Sequence, residues 1–412
     1  MSSTEIDVLA CRAADRAATQ RPVPTRLFAF AVGVIILNLF SSQPLVEVIG
    51  PSLGLDARLS GFVTLSVLLG YAAGLILLVP LSDLVENRRL ALAMLGADAA
   101  SLCAAALAPS AAWFLLASFA LGAAISCIQV LVPLAASLAS EAQRGRVVGD
   151  VMSGMMVGVL VSRPLASLAA DALGWRGMYL ASVGVIGALI ALLAFTLPRR
   201  QPPGGIGYGA LIASLWRLVR EERVLRVRAA ESAMMFAAFN MFWTTIALQL
   251  ARPPFHLGAR GIAVFALAGV SGAVIAPLAG RWGDRGWTKP ALVGLHALAL
   301  QSMILAAFAV AVADFAPTFA LVLLAVCAIL LDIGVVGDQT LGRRAVNLLR
   351  PEVRGRLNGL FTGIFFVGGA ASSALTGFAW KYGGWNGVCL LGGVFACAAL
   401  AISSSTLRDR RL

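Results

Sequence analysis

Charged side chains are scarce in this 412-residue chain: Asp, Glu, Lys and Arg make up 13% of it, against roughly 25% in soluble domains. So few charges cannot coat a water-facing surface, which excludes a soluble globular protein. Histidine is scarcer still, with only His256 and His296, far apart and without metal-ligand spacing. The six cysteines include no CxxC pair. Cys103, Cys127, Cys327, Cys389 and Cys397 fall in apolar stretches and Cys11 in the N-terminal tail, so they read as small packing residues. No glycine-rich phosphate loop with Lys and Ser or Thr occurs, so nothing points to ATP as an energy source. An enzyme is disfavoured and no cofactor is expected, because no nucleophile, base or metal set can be assembled. Period-two alternation is sparse as well, which argues against a membrane β-barrel.

Apolar residues are what the chain has, at 59%. A membrane-spanning helix takes about 20 of them, so twelve spans take about 240, close to the whole hydrophobic content. No sizeable domain outside a bilayer is left. The apolar stretches predict spans from Leu27 to Ile49, Ser60 to Ser82, Arg89 to Pro109, Ala112 to Ala139, Val148 to Ala172 and Trp175 to Leu197. Six more run from Arg228 to Leu250, Arg260 to Trp282, Thr288 to Ala313, Ala316 to Thr340, Leu357 to Trp380 and Trp385 to Ser405. The fold class is therefore an all-α polytopic membrane protein with twelve transmembrane helices.

The formal charge of +12 would suggest nucleic acid in a soluble protein. Here its distribution says more. Of the 32 basic residues, 26 fall on one side of the predicted spans, including Arg88, Arg144, Arg146, Arg228, Arg343, Arg354 and Arg356. Arg58, Arg176, Arg252, Arg260 and Lys381 fall on the other, and Arg163 lies within a span. The positive-inside rule then puts both termini in the cytoplasm. The lipid bilayer, not nucleic acid, is the expected partner of these charges, with a plasma (bacterial inner) membrane location and a functional monomer.

The organisation that follows has a cytoplasmic tail (1–26), an N-terminal six-helix half (27–197), a cytoplasmic linker (198–227), a C-terminal six-helix half (228–405) and a short cytoplasmic tail (406–412). The first tail has no apolar run and is not a signal peptide. The linker opens with Pro202, Pro203, Gly204 and Gly205, and its basic amphipathic stretch from Leu211 to Arg226 predicts a surface helix.

The halves repeat each other. At an offset of 210, Arg144-Gly145-Arg146 and Gly149 fall on Arg354-Gly355-Arg356 and Gly359. Gly158 meets Gly368, Ser162 meets Ser372, and Gly174-Trp175 meets Gly384-Trp385. At an offset of 202, Asn38 meets Asn240, and at 201, Asp83 meets Asp284. Parallel halves of this kind bind solute near the midplane, between them.

Pro80-Leu81-Ser82-Asp83-Leu84-Val85-Glu86-Asn87-Arg88-Arg89, echoed by Gly280-Arg281-Trp282-Gly283-Asp284-Arg285-Gly286, resembles the Gly-x-Leu-Ala-Asp-Arg-x-Gly-Arg-Arg loop of the major facilitator superfamily. Gln43-Pro44-Leu45, Leu331-Asp332-Ile333-Gly334 and Arg356-Leu357-Asn358-Gly359 look like the superfamily's bacterial drug:proton antiporters. That resemblance implies two pseudo-symmetric six-helix halves and alternating access. The antiporter motif of span 5 departs from its pattern, with Ser162-Arg163 in place of Gly-Pro and Ala166-Ser167 in place of Gly-Gly. In span 4, Ser118 stands where an arginine is usual.

Charges within spans carry the functional expectation, since each costs about 2.5 to 3.5 kcal/mol near the bilayer centre and normally faces a polar cavity with a partner. Arg163 reads either as a counterion to Glu47 or Asp332, or as an anion-binding or coupling group. Asp332 is the candidate proton carrier or solute ligand, with Glu47 as a further coupling group; Asp98 lies in the peripheral span 3. Asn38, Gln43, Gln129, Asn240, Trp243 and Thr244 complete the expected cavity, and Pro44 is a pivot for span 1. Phe236, Phe239 and Phe242 read as an apolar binding wall or as lipid-facing rings. Asp83 and Asp284 are expected to gate, Asp83 against Arg354 or Arg356 and Asp284 against Arg144 or Arg146 at helix N-termini, with Arg88 beside them. The expected function is proton-driven export of a small organic solute. The alternatives are proton-coupled uptake of a sugar or organic acid, and a non-transporting membrane receptor or assembly partner.

Overall fold

The computed structural model describes residues 25–55, 61–140, 143–199, 201, 207–350 and 353–407, without the side chains of residues 47, 259, 270 and 273. Every regular element among the described residues is helical. Ten helices are long and apolar enough to cross a membrane: Thr25–Leu45, Gly61–Asp83, Asn87–Ala106, Ala111–Leu138, Arg144–Thr196, Arg223–Ala251, Arg260–Asp284, Thr288–Ala311, Pro317–Asn347 and Arg354–Thr406. Two of these have 53 residues, which at 1.5 Å per residue is roughly 80 Å, far more than a bilayer accommodates. Each is broken at a glycine with left-handed φ, Gly174 at 70° and Gly384 at 55°. A side chain there would be strained, so these glycines divide the long helices and the ten become twelve spans. Span 5 is 144–173 and span 6 is 175–196; span 11 is 354–383 and span 12 is 385–406.

The repeat is visible in packing. In each half, span 5 or its counterpart span 11 lies on the first span of the same half through one glycine. Gly158 rests on Gly33 of span 1, and Gly368 rests on Ala233 of span 7, each so near the partner backbone that a Cβ would collide with it. After each break a tryptophan is buried: Trp175 edge-on to Phe114 and Tyr179, and Trp385 donating to the Ala306 carbonyl at 2.8 Å.

Spans 2 and 11, spans 5 and 8, and spans 1 and 7 join the halves. Span 2 packs along span 11; Gly61 lies against the Ser373 carbonyl, Tyr71 meets Phe366 at 4.5 Å, and Gly363 lies beside Ile76. Span 5 meets span 8 through Ala259–Ala266 and Leu267–Val270, whereas the rest of span 8, Ser271–Asp284, packs on span 10. Spans 2 and 11 therefore meet along their length, whereas spans 5 and 8 meet at the end away from the linker and part toward it.

The linker helix, Tyr208–Glu221, buries Leu211, Leu215 and Leu218. Its apolar face packs with Leu225, Ala229, Val346, Leu357, Leu360 and Phe361 of the C-terminal half. It is docked on protein where the amphipathic pattern predicts a surface helix, because the ends of spans 7, 10 and 11 offer a matching apolar face.

Candidate functional site

Three spans that line the space between the halves are broken. Span 1 stops at Phe40 and resumes as a 3-10 turn, Gln43–Leu45, with Pro44 in its first positions. Span 4 is interrupted between Ile125 and Ile128, and span 8 by the 3-10 turn Leu267–Val270. Proline at Pro44 removes a backbone donor, and such breaks survive in a bilayer only where they face protein or a polar cavity. They bring Gln43 and Gly269 to the interface.

From the span 1 break a chain of side chains crosses the interface. Arg163 Nε donates to Gln43 Oε1 at 2.9 Å, and Gln43 Nε2 donates to Asn240 Oδ1 at 3.0 Å. Asn240 Nδ2 is shared among Ser373 Oγ at 2.7 Å, Ser372 Oγ at 3.1 Å and the Gly369 carbonyl at 3.1 Å. Spans 5, 1, 7 and 11 are thus tied by one polar line. The Arg163 guanidinium sits among three rings, 5.1 Å from Phe40, 5.0 Å from Trp243 and 5.9 Å from Phe239. Cation–π attraction in such a place is worth about 0.5 to 2 kcal/mol per ring.

Asp332 is buried on span 10, where it is attracted by the Arg163 charge and lies within reach of the Trp243 indole N–H. A Cβ on Gly269 would lie 3.3 Å from Asp332 Oδ2 and 3.6 Å from the Trp243 ring, so glycine lets the broken span 8 come close. Arg163 Nη2 and Thr244 Oγ1 are buried and close no hydrogen bond among the described residues. Buried polar atoms left unpaired cost about 1 to 3 kcal/mol each. Arg163 and Trp243 also border a narrow pocket with Pro44, Ser167, Ile246 and Phe265, whose free volume is about 20 Å³, enough for roughly one water molecule. The site is cationic at its centre, aromatic around it, and short of hydrogen-bond partners.

The structure distributes the other expected residues unevenly. Asn38 is buried just before the span 1 break. Gln129 lies within reach of Tyr71, which in turn is near Arg343 of span 10 across the interface. Phe236 and Phe242 are buried, Phe236 stacking on Phe365 at 4.1 Å and Phe242 lying against Trp385 at 5.6 Å. Neither of those two rings is lipid-facing. The side chain of Glu47 lies outside the described residues. Asp98 is fully buried within the N-terminal half, near Cys127. At the linker end Asp83 lies 3.9 Å from Arg356, across the interface. Asp284 instead pairs with Arg344 of its own half at 2.9 Å, because span 8 has parted from span 5 there and Arg144 and Arg146 begin the latter. Arg354 and Arg88 are held by backbone carbonyls of their own halves, those of Asn347 and Ala194.

Arg228 and Arg343, grouped with the linker-side charges by the basic-residue distribution, lie in helices that extend beyond their apolar runs, Arg223–Ala251 and Pro317–Asn347, and Arg228 is fully buried. Arg228 pairs with Glu231 at 2.7 Å, and His296 is bound to Asp338 at 2.9 Å. Asp338, a carboxylate in an apolar span, is the signal that was there to be used.

Residues 28–337 match the family described as Major Facilitator Superfamily. The uncharacterized transporter YgaY of Escherichia coli O157:H7 is 34% identical over 378 residues, covering 91% of this chain and 93% of that protein. A Streptomyces coelicolor protein named as a probable transporter, SCO4007, is 32% identical over 393 residues, covering 93% of this chain and 87% of the other. Among solved structures, the nucleoside transporter NupG superposes with a TM-score of 0.69 at 14% identity, over 93% of this chain and 98% of that one.

Proposed function

This chain belongs to the Major Facilitator Superfamily of secondary transporters, and from that premise we propose that it exports an amphipathic organic solute in exchange for protons. The observation that carries the reading is the polar line from Arg163 through Gln43 to Asn240, ending in unpaired buried atoms beside a pocket between the halves. A solute with an acceptor group would meet Arg163 Nη2, and its apolar body would lie against Trp243, Ile246 and Phe265. The same solute, by drawing on Arg163, would disturb Gln43, whose amide bridges the halves to Asn240. Binding would then favour the change of access, which is what a transporter needs from its substrate.

Asp332 is proposed as a group that trades a proton for the solute, since it is buried and coupled to Arg163. Both tails and the linker are assigned to the cytoplasm of a bacterial plasma membrane, so the described arrangement, parted toward the linker, would receive solute from inside. Asp83 with Arg356 and Asp284 with Arg344 would re-sort as that end closes.

A thermal-shift screen of organic anions and amphipathic cations on purified protein identifies ligands, because a compound that binds the folded state raises its Tm. Uptake of a hit into everted vesicles with an imposed pH gradient then tests direction. Asp332→Asn is expected to remove the dependence on the gradient while leaving the fold intact. Equal gradient dependence in Asp332→Asn and wild type rules the residue out as carrier, and accumulation only in right-side-out vesicles replaces export with uptake.

A further inference from the structure

Arg343 differs from the arginines around it. Arg344 is held by Asp284, Arg350 by Glu221 and Glu222, Arg356 by Asp83, and Arg354 by the Asn347 carbonyl. Arg343 closes neither an ion pair nor a hydrogen bond among the described residues, and its electrostatic neighbour is Tyr71 rather than a carboxylate. It lies four residues, roughly 6 Å, inside the end of Pro317–Asn347 and is half-buried. A cation within a span normally has a partner or faces a polar cavity.

Helix geometry aims Arg343 at the N-terminal half. Successive residues of a helix turn by about 100°. Leu341 packs with Leu292 and Leu295 of span 9, Gly342 lies against Phe361 of span 11 and Ser232 of span 7, and Arg344 reaches Gly283 and Asp284 of span 8. Those three positions take the sides of span 10 that pack on its own half. The side left to Arg343 is nearly opposite span 9, and across it stand Tyr71 of span 2 and, beside Tyr71, Gln129 of span 4. The Tyr71 ring is fixed against Phe366 at 4.5 Å, and Gly122 of span 4 lies so near the Tyr71 backbone that a Cβ would collide with it. Gln129 belongs to the first turn after the span 4 break. A hydroxyl, an amide and a guanidinium thus gather between the halves, on the side where spans 5 and 8 part.

The charges along this passage are unbalanced. Asp83, Asp284, Glu221 and Glu222 are taken by the arginines above, and Asp338 and Glu231 are engaged with His296 and Arg228 inside the C-terminal half. Asp98 is buried within the N-terminal half. That leaves Asp332, eleven residues or roughly 16 Å along span 10 from Arg343, where it is drawn to Arg163. Among the described side chains, two guanidinium groups face one carboxylate. Both keep donors to spare, Arg163 through Nη2 and Arg343 through its whole fork. A planar fork of N–H groups matches the oxygens of a carboxylate or phosphate, whereas an ammonium group would meet two like charges.

We infer that Arg343, with Tyr71 and Gln129 from the opposite half, forms an oxyanion-binding entry site on the linker side of the solute pocket, and that the solute is an organic anion with a flat apolar body. Arg343 meets the anionic group first. Arg163 meets it deeper in, where Trp243, Ile246 and Phe265 receive the body. Calling this ligand the transported solute rests on the export reading above; the binding of an oxyanion at Arg343 does not.

The test uses purified full-length protein and probes that share one ring system: 1-naphthoate, 1-naphthyl phosphate, 1-naphthamide and 1-naphthylmethylamine. Affinities are read from the dependence of Tm on probe concentration. Both anions are expected to bind at least about tenfold more tightly than the amide, the gain from a hydrogen bond to a charged group, and the amine more weakly still. The tighter anion identifies the oxyanion as carboxylate or phosphate. Arg343→Gln is expected to weaken the anions about tenfold and leave the amide unchanged, while Arg343→Lys keeps the preference for anions. Anions that bind Arg343→Gln as tightly as wild type, or a loss shared equally by the amide, overturn the entry site. Anions that fail to bind wild type, or an amine that outbinds them, overturn the assignment of the solute. If the anions bind through Arg343 but everted vesicles accumulate neither, the site stands and export fails. Accumulation of the amine alone keeps export and removes the anion.

Discussion

Arg163 acts through its shape as well as its charge. Its Nε is used on Gln43 while Nη2 stays unpaired, and three rings hold the guanidinium plane. Lysine offers a compact ammonium without the planar fork, so Arg163→Lys keeps the charge and loses both the tie to Gln43 and the aim of Nη2. A hydrogen bond to a charged group contributes about 1.5 to 3 kcal/mol, so solute affinity is expected to fall at least about tenfold. Titrating a hit from the ligand screen against both proteins checks this; equal affinities would mean that charge alone suffices. Arg163, Asp332, Gln43 and Asn240 were legible in the sequence because polar groups in apolar spans are few. Which of them touch was not, since Gln43 and Asn240 are 197 residues apart and only the fold joins them. His296 looked isolated for the same reason: Asp338 is 42 residues away and Ser403 is 107.

At the scale of elements, the most readable signal was the Gly-Trp pair repeated at an offset of 210. It marks the two breaks at Gly174 and Gly384, where the chain takes positive φ. Backbone at φ 70° and ψ 162° is open essentially to glycine alone and costs another residue about 1 to 3 kcal/mol, so Gly174→Ala is expected to lower stability by about that much. Gly184→Ala, ten residues on within the same helix and with open space around it, is expected to raise stability by up to about 1 kcal/mol, because alanine favours helix. Thermal unfolding of the two variants in one detergent separates a backbone effect from a general intolerance of the methyl group. Helix ends were less legible. Spans 7 and 10 continue past their apolar runs on turns that are partly covered by protein, which hid Arg228 and Arg343 among the loop charges. Hydrophobicity marks what can face lipid, and says little of a helical turn that is covered by its neighbours.

For the whole molecule, spans 2 and 11 join the halves along their length, and their contact reaches the end away from the linker. Gly61 against the Ser373 carbonyl is the tightest of those approaches, so Gly61→Leu is expected to separate spans 2 and 11 there. Electron–electron distances between spin labels on the two halves at that end should lengthen, with the longer population dominant; an unchanged distribution would show that another contact holds the closure. Gly158 on Gly33 and Gly368 on Ala233 lock each half internally. The linker helix keeps its leucine face on the C-terminal half, tied to the N-terminal half through the Tyr208 hydroxyl on the Leu77 carbonyl at 2.9 Å. Covalent continuity between the halves is then dispensable. Two polypeptides divided between Pro203 and Gly204, produced together, are expected to reassemble into a complex that co-purifies and gives the same thermal shifts, with the linker helix travelling as the opening segment of the second piece.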